Sequence, residues 1–258
     1  MSYRVAIANE KGGVAKTTTA LSLGAALAER GKSVLLVDLD PQANLTLSLG
    51  FKPDRLQNTI SDMLMGNGQL EEILLTTDIE GISLVPASQD LLMAEQFLRV
   101  RQDHQHILMD QMPADGYDFI LLDCPPTLGV MTRSALVAAD LLIIPTQAEF
   151  YSASALHNVL DLIRETRSGQ NPNLRYRLLL TMLDRRNRIH RTLFEQIRRT
   201  FGGAVFSTVI EVDTRLRESP IFAQPITAYA PNSRGAEQYR ALGEELMEYA
   251  TEANRRSE

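Results

Sequence analysis

Residues 10–19 read Glu-Lys-Gly-Gly-Val-Ala-Lys-Thr-Thr-Thr, and they stand between the apolar run Val5-Ala6-Ile7-Ala8 and a segment with helical spacing of Leu21, Leu23, Ala26 and Leu27. A buried strand, a glycine-rich turn and a helix in that order aim several backbone N–H groups at one spot, where the helix dipole adds positive charge. The pattern predicts a phosphate cradle formed by Gly12, Gly13 and the amides of Val14, Ala15 and Thr18. Lys16 supplies a point charge to the outer phosphates, and the Thr17 hydroxyl ligates Mg²⁺. The spacing departs from G-x-x-x-x-G-K-[ST], because Glu10 and Ala15 occupy the glycine positions. K-G-G-x-x-K-T fits instead, with a second lysine, Lys11, at its head.

Two further strand ends carry acids. Val34 to Val37 form an apolar run ending on Asp38, with Asp40 two residues on. Phe119 to Leu122 form another, ending on Asp123. Continuous apolar runs suit parallel strands buried on both faces. Such sheets bind ligands beyond the carboxyl ends of their strands, which is where these carboxylates emerge. Asp123 is placed to hold Mg²⁺ through water.

The segments Lys11–Thr18, Asp38-Leu-Asp-Pro-Gln-Ala-Asn44 and Asp123-Cys-Pro-Pro126 resemble those of the ParA/Soj/MinD partition ATPases, in which the loop is called a deviant Walker A box. Residues 143–149 and 232–239 resemble the ParA/Soj branch in particular. Most relatives have glycine at the position of Ala15, and proline at the position of Glu211. The resemblance implies a slow, Mg²⁺-dependent ATPase and a face-to-face homodimer around two ATP molecules. Lys11 then reaches the partner's nucleotide, Asp40 orients the attacking water, and Asp38 lies near the metal. It also implies an activating ParB-like or cargo-adaptor partner. By the same resemblance the main chain after the last strands meets the base, which nominates Met182, Ile210, Val212 and Asp213.

Strands alternate with helices, so the expected fold is one α/β domain over residues 1–258 with a doubly wound, mostly parallel sheet. Strands are expected at 3–8, 33–38, 82–86, 119–123, 141–145, 176–182 and 205–209. Helices are expected near 16–30, 59–65, 89–100, 104–112, 132–138, 152–167 (with Ser152 as N-cap), 189–201, 214–219 and 234–252. Residues 39–58 lack clear periodicity and follow a strand end, as functional loops do. About ten residues precede the phosphate loop, which leaves no room there for a domain that reads an operator. Met63, Met65, Met93, Met109 and Met112 are expected as gap-filling core residues. The single cysteine, Cys124, excludes an intramolecular disulfide and suits a packing role in a reducing cytoplasm.

The net charge of −6 conceals an asymmetry, since residues 164–217 hold twelve arginines, no lysine and five acidic residues. Arg185, Arg186, Arg188 and Arg191 form one cluster, and Arg215 and Arg217 another. No Phe, Tyr or Trp stands inside either cluster to stack on bases. Forked guanidinium groups without stacking partners suit the phosphates of duplex DNA, bound without sequence preference, and hence a nucleoid-associated protein. The alternative is a MinD-like ATPase on a membrane surface. It needs a basic, bulky amphipathic tail, whereas residues 244–258 are acidic and weakly apolar. An iron–sulfur carrier with the same loop would need cysteine ligands.

Overall fold

The central strands split their side chains between two faces, and both faces are buried. In a computed structural model, which describes residues 2–101, 104–149 and 152–255, the sheet has seven strands. They are β1 (Tyr3–Ile7), β2 (Val34–Asp38), β3 (Leu75–Thr76), β4 (Ile82–Val85), β5 (Phe119–Asp123), β6 (Leu141–Gln147) and β7 (Arg175–Thr181). Their spatial order is β3-β4-β2-β5-β1-β6-β7, parallel throughout except that β3 runs antiparallel to β4. The helices are α1 (Lys16–Ala28), α2 (Asn44–Ser48), α3 (Ile60–Met65), α4 (Leu70–Ile73), α5 (Leu91–Arg99), α6 (Ile107–Gln111), α7 (Val130–Ala138), α8 (Ser152–Ser168), α9 (Arg188–Phe201), α10 (Arg215–Glu218), α11 (Ile226–Tyr229) and α12 (Arg234–Arg255).

Ala6, Leu35, Val37, Ile120, Leu122, Leu142 and Ile144 enter one core with residues of α3, α5, α6, α7 and α8. Val5, Ile7, Val34, Leu36, Phe119, Leu121, Leu141 and Ile143 enter the other with residues of α1 and α12. The period of two along each strand thus feeds two layers of helices. Helix α1 lies close on the sheet: a Cβ at Gly24 would stand 2.9 Å from Leu36 Cδ2.

Three expectations are corrected. Residues 205–209 make only an isolated bridge, Leu178 to Val205. The amides of Ser207 and Thr208 donate instead to the Glu245 carboxylate of α12, at 2.7 and 2.9 Å, so a side chain replaces the ladder. The stretch 39–58 contains α2 and a 3₁₀ turn at Pro53–Arg55. Of the methionines, Met63 and Met112 are core, but Met93 is 68% exposed and Met109 38%. Helix α5 turns Leu91, Ala94 and Leu98 inward, and position 93 falls on the opposite side. Cys124 is buried, and burial pushes its thiol well above the usual range. The side chain of Ser152 lies outside the described residues.

Candidate nucleotide and metal site

The sheet order reverses at β1, whose neighbours β5 and β6 are followed in opposite directions, so a crevice opens above its carboxyl end. The loop from β1 to α1 fills that crevice. Asn9 pins it: its Nδ2 donates to Pro145 O at 2.7 Å, and its Oδ1 accepts from Lys11 N at 3.0 Å. Gly13 takes φ +71°, and an added Cβ at Gly12 or Gly13 would have no neighbour within 4 Å. The amides of Gly12 to Ala15 find no protein acceptor among the described residues. An open cradle with undirected donors, at the start of a 13-residue helix, fits a phosphate group.

Ala15 sits in the left-handed region at φ +70°, where a side chain costs about 1–2 kcal/mol relative to glycine. The loop therefore carries strain at the residue before α1. Ala15 O still accepts from Thr19 N at 2.9 Å, so the helix starts normally.

The register of β2 against β5 sets Asp38 directly beside Asp123. Their surroundings differ. Both oxygens of Asp38 are engaged: Oδ1 accepts from Asp40 N at 3.1 Å, and Oδ2 from Thr46 N and Oγ1 at 2.9 and 2.8 Å. Asp38 thereby fixes the turn that presents Asp40. Its carboxyl is pushed up to about 6, chiefly by complete burial. Asp123 is buried too, and neither of its oxygens has a hydrogen-bond partner among the described residues. Burial and the neighbouring Asp38 hold its carboxyl well above the usual range, against the pull of Thr17 and Lys16. A buried acid with two unmet oxygens beside a threonine hydroxyl fits a hard divalent cation. Asp123 and Thr17 suit Mg²⁺ directly or through water, whereas Asp38 serves the loop.

Lys16 is 7% exposed, and burial lowers its ammonium from the ordinary value. Its Nζ donates to Lys11 O at 3.2 Å. Lys16 and Thr17 share an open cleft of about 390 Å³ with Gly12, Gly13, Asp40, Asn44, Pro126 and Met182. Asp40 keeps one oxygen on Gln42 N at 2.9 Å.

Lys11 is held within its own chain. Its Nζ reaches Gln147 Oε1 at 2.9 Å and Glu149 Oε2 at 2.6 Å, and Gln147 Nε2 also donates to Gly13 O at 3.2 Å. These partners were not evident as a site in the sequence, because they lie 136 and 138 residues away.

Beside the cradle, Met182, Ile210, Val212 and Asp213 converge on a second, narrower pocket with Ala15, Thr18, Arg217 and Tyr239. Hydrogen bonds between Leu183 and residues 210 and 212 close its floor. Both arginine clusters are exposed, and a bridge between Leu183 and Glu211 brings their two loops side by side. Arg186, Arg188 and Arg191 have no acidic partner among the described residues, but Arg185 has one: its Nε lies 2.5 Å from Glu211 Oε1.

Known proteins match this chain over most of its length. A family model described as an AAA domain matches residues 2–176. The chromosome partitioning protein ParA of Myxococcus xanthus is 40% identical over 250 residues, covering 96% of this chain and 88% of that protein. The chromosome-partitioning ATPase Soj of Thermus thermophilus is 43% identical over 97% of both chains. The crystal structure of cobyrinic acid a,c-diamide synthase from Mycobacterium smegmatis, with an ATP analogue and magnesium bound, has a TM-score of 0.86 at 35% identity and covers 97% of this chain and 96% of its own.

Proposed function

Since the chain belongs to the ParA/Soj family of partition ATPases, we propose that it is a switch that binds and hydrolyses ATP to position a cargo along nucleoid DNA. The carrying observation is Asp123, a buried carboxylate with two unmet oxygens beside Thr17, Lys16 and an open cradle of amides. Gly12 to Thr18 would hold the phosphates, and Asp123 and Thr17 the magnesium. Mg²⁺, when bound, neutralises phosphate charge. Asp40, presented by the turn that Asp38 anchors, orients the attacking water. Met182, Ile210, Val212 and Asp213 border the base. Lys11 leaves Gln147 and Glu149 to reach the nucleotide of a second protomer, so ATP drives a homodimer. A ParB-like or cargo-adaptor protein then stimulates hydrolysis.

The dimer joins two arginine faces, each with Arg185, Arg186, Arg188, Arg191, Arg215 and Arg217, along one duplex. Binding of random-sequence DNA should therefore need ATP and fall steeply with salt, each neutralised phosphate contributing roughly −0.9 to the slope of log K against log salt. A gel-shift series with and without ATP measures this. Salt-insensitive binding, or none at low salt with ATP, would remove DNA as the track. The membrane-surface alternative finds little support in the last helix. α12 buries Leu242, Leu246 and Ala250 against α1, and no helix among the described residues is long and apolar enough to cross a membrane.

Proton linkage gives a second expectation. An ordinary unfolded aspartate ionises near pH 3.9, whereas Asp38 in the fold ionises at about 6. Raised carboxyls favour the folded state at low pH, and that contribution is lost as pH climbs from about 4 to about 6, at about 3 kcal/mol for a two-unit shift. Asp123 shifts in the same direction. A cation binds Asp123 only after its proton leaves. The rise in melting temperature produced by Mg²⁺ with ATP should therefore be larger at pH 7.5 than at pH 5.5. An equal rise at both pH values, by differential scanning fluorimetry, would contradict the assignment of the metal to Asp123 beside Thr17.

A further inference from the structure

At Glu211 the arginine face puts an acid between two guanidinium groups. Its side chain is 12% exposed, while its two partners are mostly in solvent, Arg185 at 60% and Arg234 at 54%. Oε1 takes Arg185 Nε at 2.5 Å, and Oε2 takes Arg234 Nη1 at 2.8 Å. Arg234 also donates through Nη2 to Val212 O at 2.6 Å. The backbone beneath is fixed, because Glu211 N donates to Gln238 Oε1 at 2.8 Å, and Asp213 Oδ2 accepts from Gly235 N at 3.0 Å. Two guanidinium groups from distant parts of the chain thus converge on one carboxylate that is rigidly presented from below.

A carboxylate and a phosphate offer guanidinium groups the same pair of anionic oxygens. The two arginine heads lie in solvent, but the carboxylate they share is only 12% exposed, so stripping both from it costs more than breaking pairs wholly in solvent. A polyanion gains the two guanidinium groups only by leaving that carboxylate unpaired, so Glu211 competes with it for them. Arg186, Arg188 and Arg191 on the adjoining loop and helix have no acid to displace among the described residues. The face thus has two kinds of arginine, open and occupied.

We propose that Arg185 and Arg234 form a paired-guanidinium subsite for a DNA phosphate, and that Glu211 is its built-in competitor, which limits how many phosphates the face engages. The inference rests on the DNA-binding reading above. It adds Arg234, which lies outside the arginine-rich segment, to the surface. It also gives Glu211 an effect on polyanion affinity.

The test measures binding of random-sequence duplex DNA at saturating ATP across a salt range, for the wild-type chain, Glu211→Gln and Glu211→Ser. Glutamine keeps the shape but loses the charge and can accept from only one of the two arginines, because its Nε2 is a donor, and serine removes the reach. Thermal unfolding confirms that each variant is folded. Each variant should steepen the slope of log K against log salt by about 2 for a dimer, one added phosphate per protomer. Affinity near 0.1 M salt should rise on the order of tenfold. The gain should vanish in Glu211→Gln with Arg185 and Arg234 both changed to alanine. Folded single variants with wild-type slope and affinity would overturn the subsite, as would a gain that survives loss of both arginines. Failure of the wild-type chain and the variants alike to bind DNA would instead overturn the DNA-binding reading.

Discussion

Replacing Lys16 by alanine is expected to weaken ATP binding by two orders of magnitude or more. Lys16 is nearly buried at the mouth of the cradle, with Asp123 close by. Removing one member of a buried charged pair costs about 3–5 kcal/mol, which is roughly a hundred- to several-thousandfold in Kd. The triphosphate would lose its one buried ammonium. Thr17→Ala should lose affinity as well, but only when Mg²⁺ is present, because its hydroxyl acts on the metal. Titration of a fluorescent ATP analogue, with Mg²⁺ and with EDTA, separates the two. Unchanged affinity in both variants would show that the cradle is not the nucleotide site.

The second large effect divides binding from turnover. Asp40→Ala should bind ATP and dimerise, yet hydrolyse about 10²–10⁴ times more slowly, the range for loss of a group that handles the proton of an attacking water. Asp38 holds the turn through Asp40 N, so the carboxylate is aimed by the fold before any ligand arrives. Lys11→Ala should fail earlier. Its ammonium lies on Gln147 and Glu149 in the single chain, so alanine removes nothing from the chain's own phosphate cradle and should leave ATP affinity near wild type. Phosphate release at saturating ATP measures the first effect. Wild-type turnover in Asp40→Ala would remove Asp40 from the chemistry.

The sequence made the sheet legible wherever a strand was an uninterrupted apolar run ending on an acid. Asp38 and Asp123 could be placed at one edge because parallel strands share their carboxyl ends. The two-residue strand β3 carries no such pattern, and its residues are partly exposed. Residues 205–209 read as a strand by composition, but Glu245, far along the chain, captures their amides. Local pattern cannot register a competitor nearly 40 residues away. The same limit applied at the site. The phosphate loop is contiguous, so its parts could be named. The partners of Lys11, the engagement of Asp38 by Thr46, and the pairing of Glu211 with Arg185 and Arg234 are tertiary contacts that spacing does not encode. The sequence marks Ala15 only as a departure from the glycine of most relatives, and its positive φ comes from the fold.

The most direct measurement of the switch is the mass of the particle in solution with and without Mg²⁺ and ATP, by light scattering on a sizing column. The wild-type chain and Asp40→Ala should double in mass when ATP is added, with Asp40→Ala remaining doubled because hydrolysis does not reset it. Lys11→Ala should stay at the mass of one chain while still binding ATP. A Lys11→Ala chain that doubles as the wild type does, or a wild-type chain that stays single with ATP bound, would contradict a nucleotide-driven dimer.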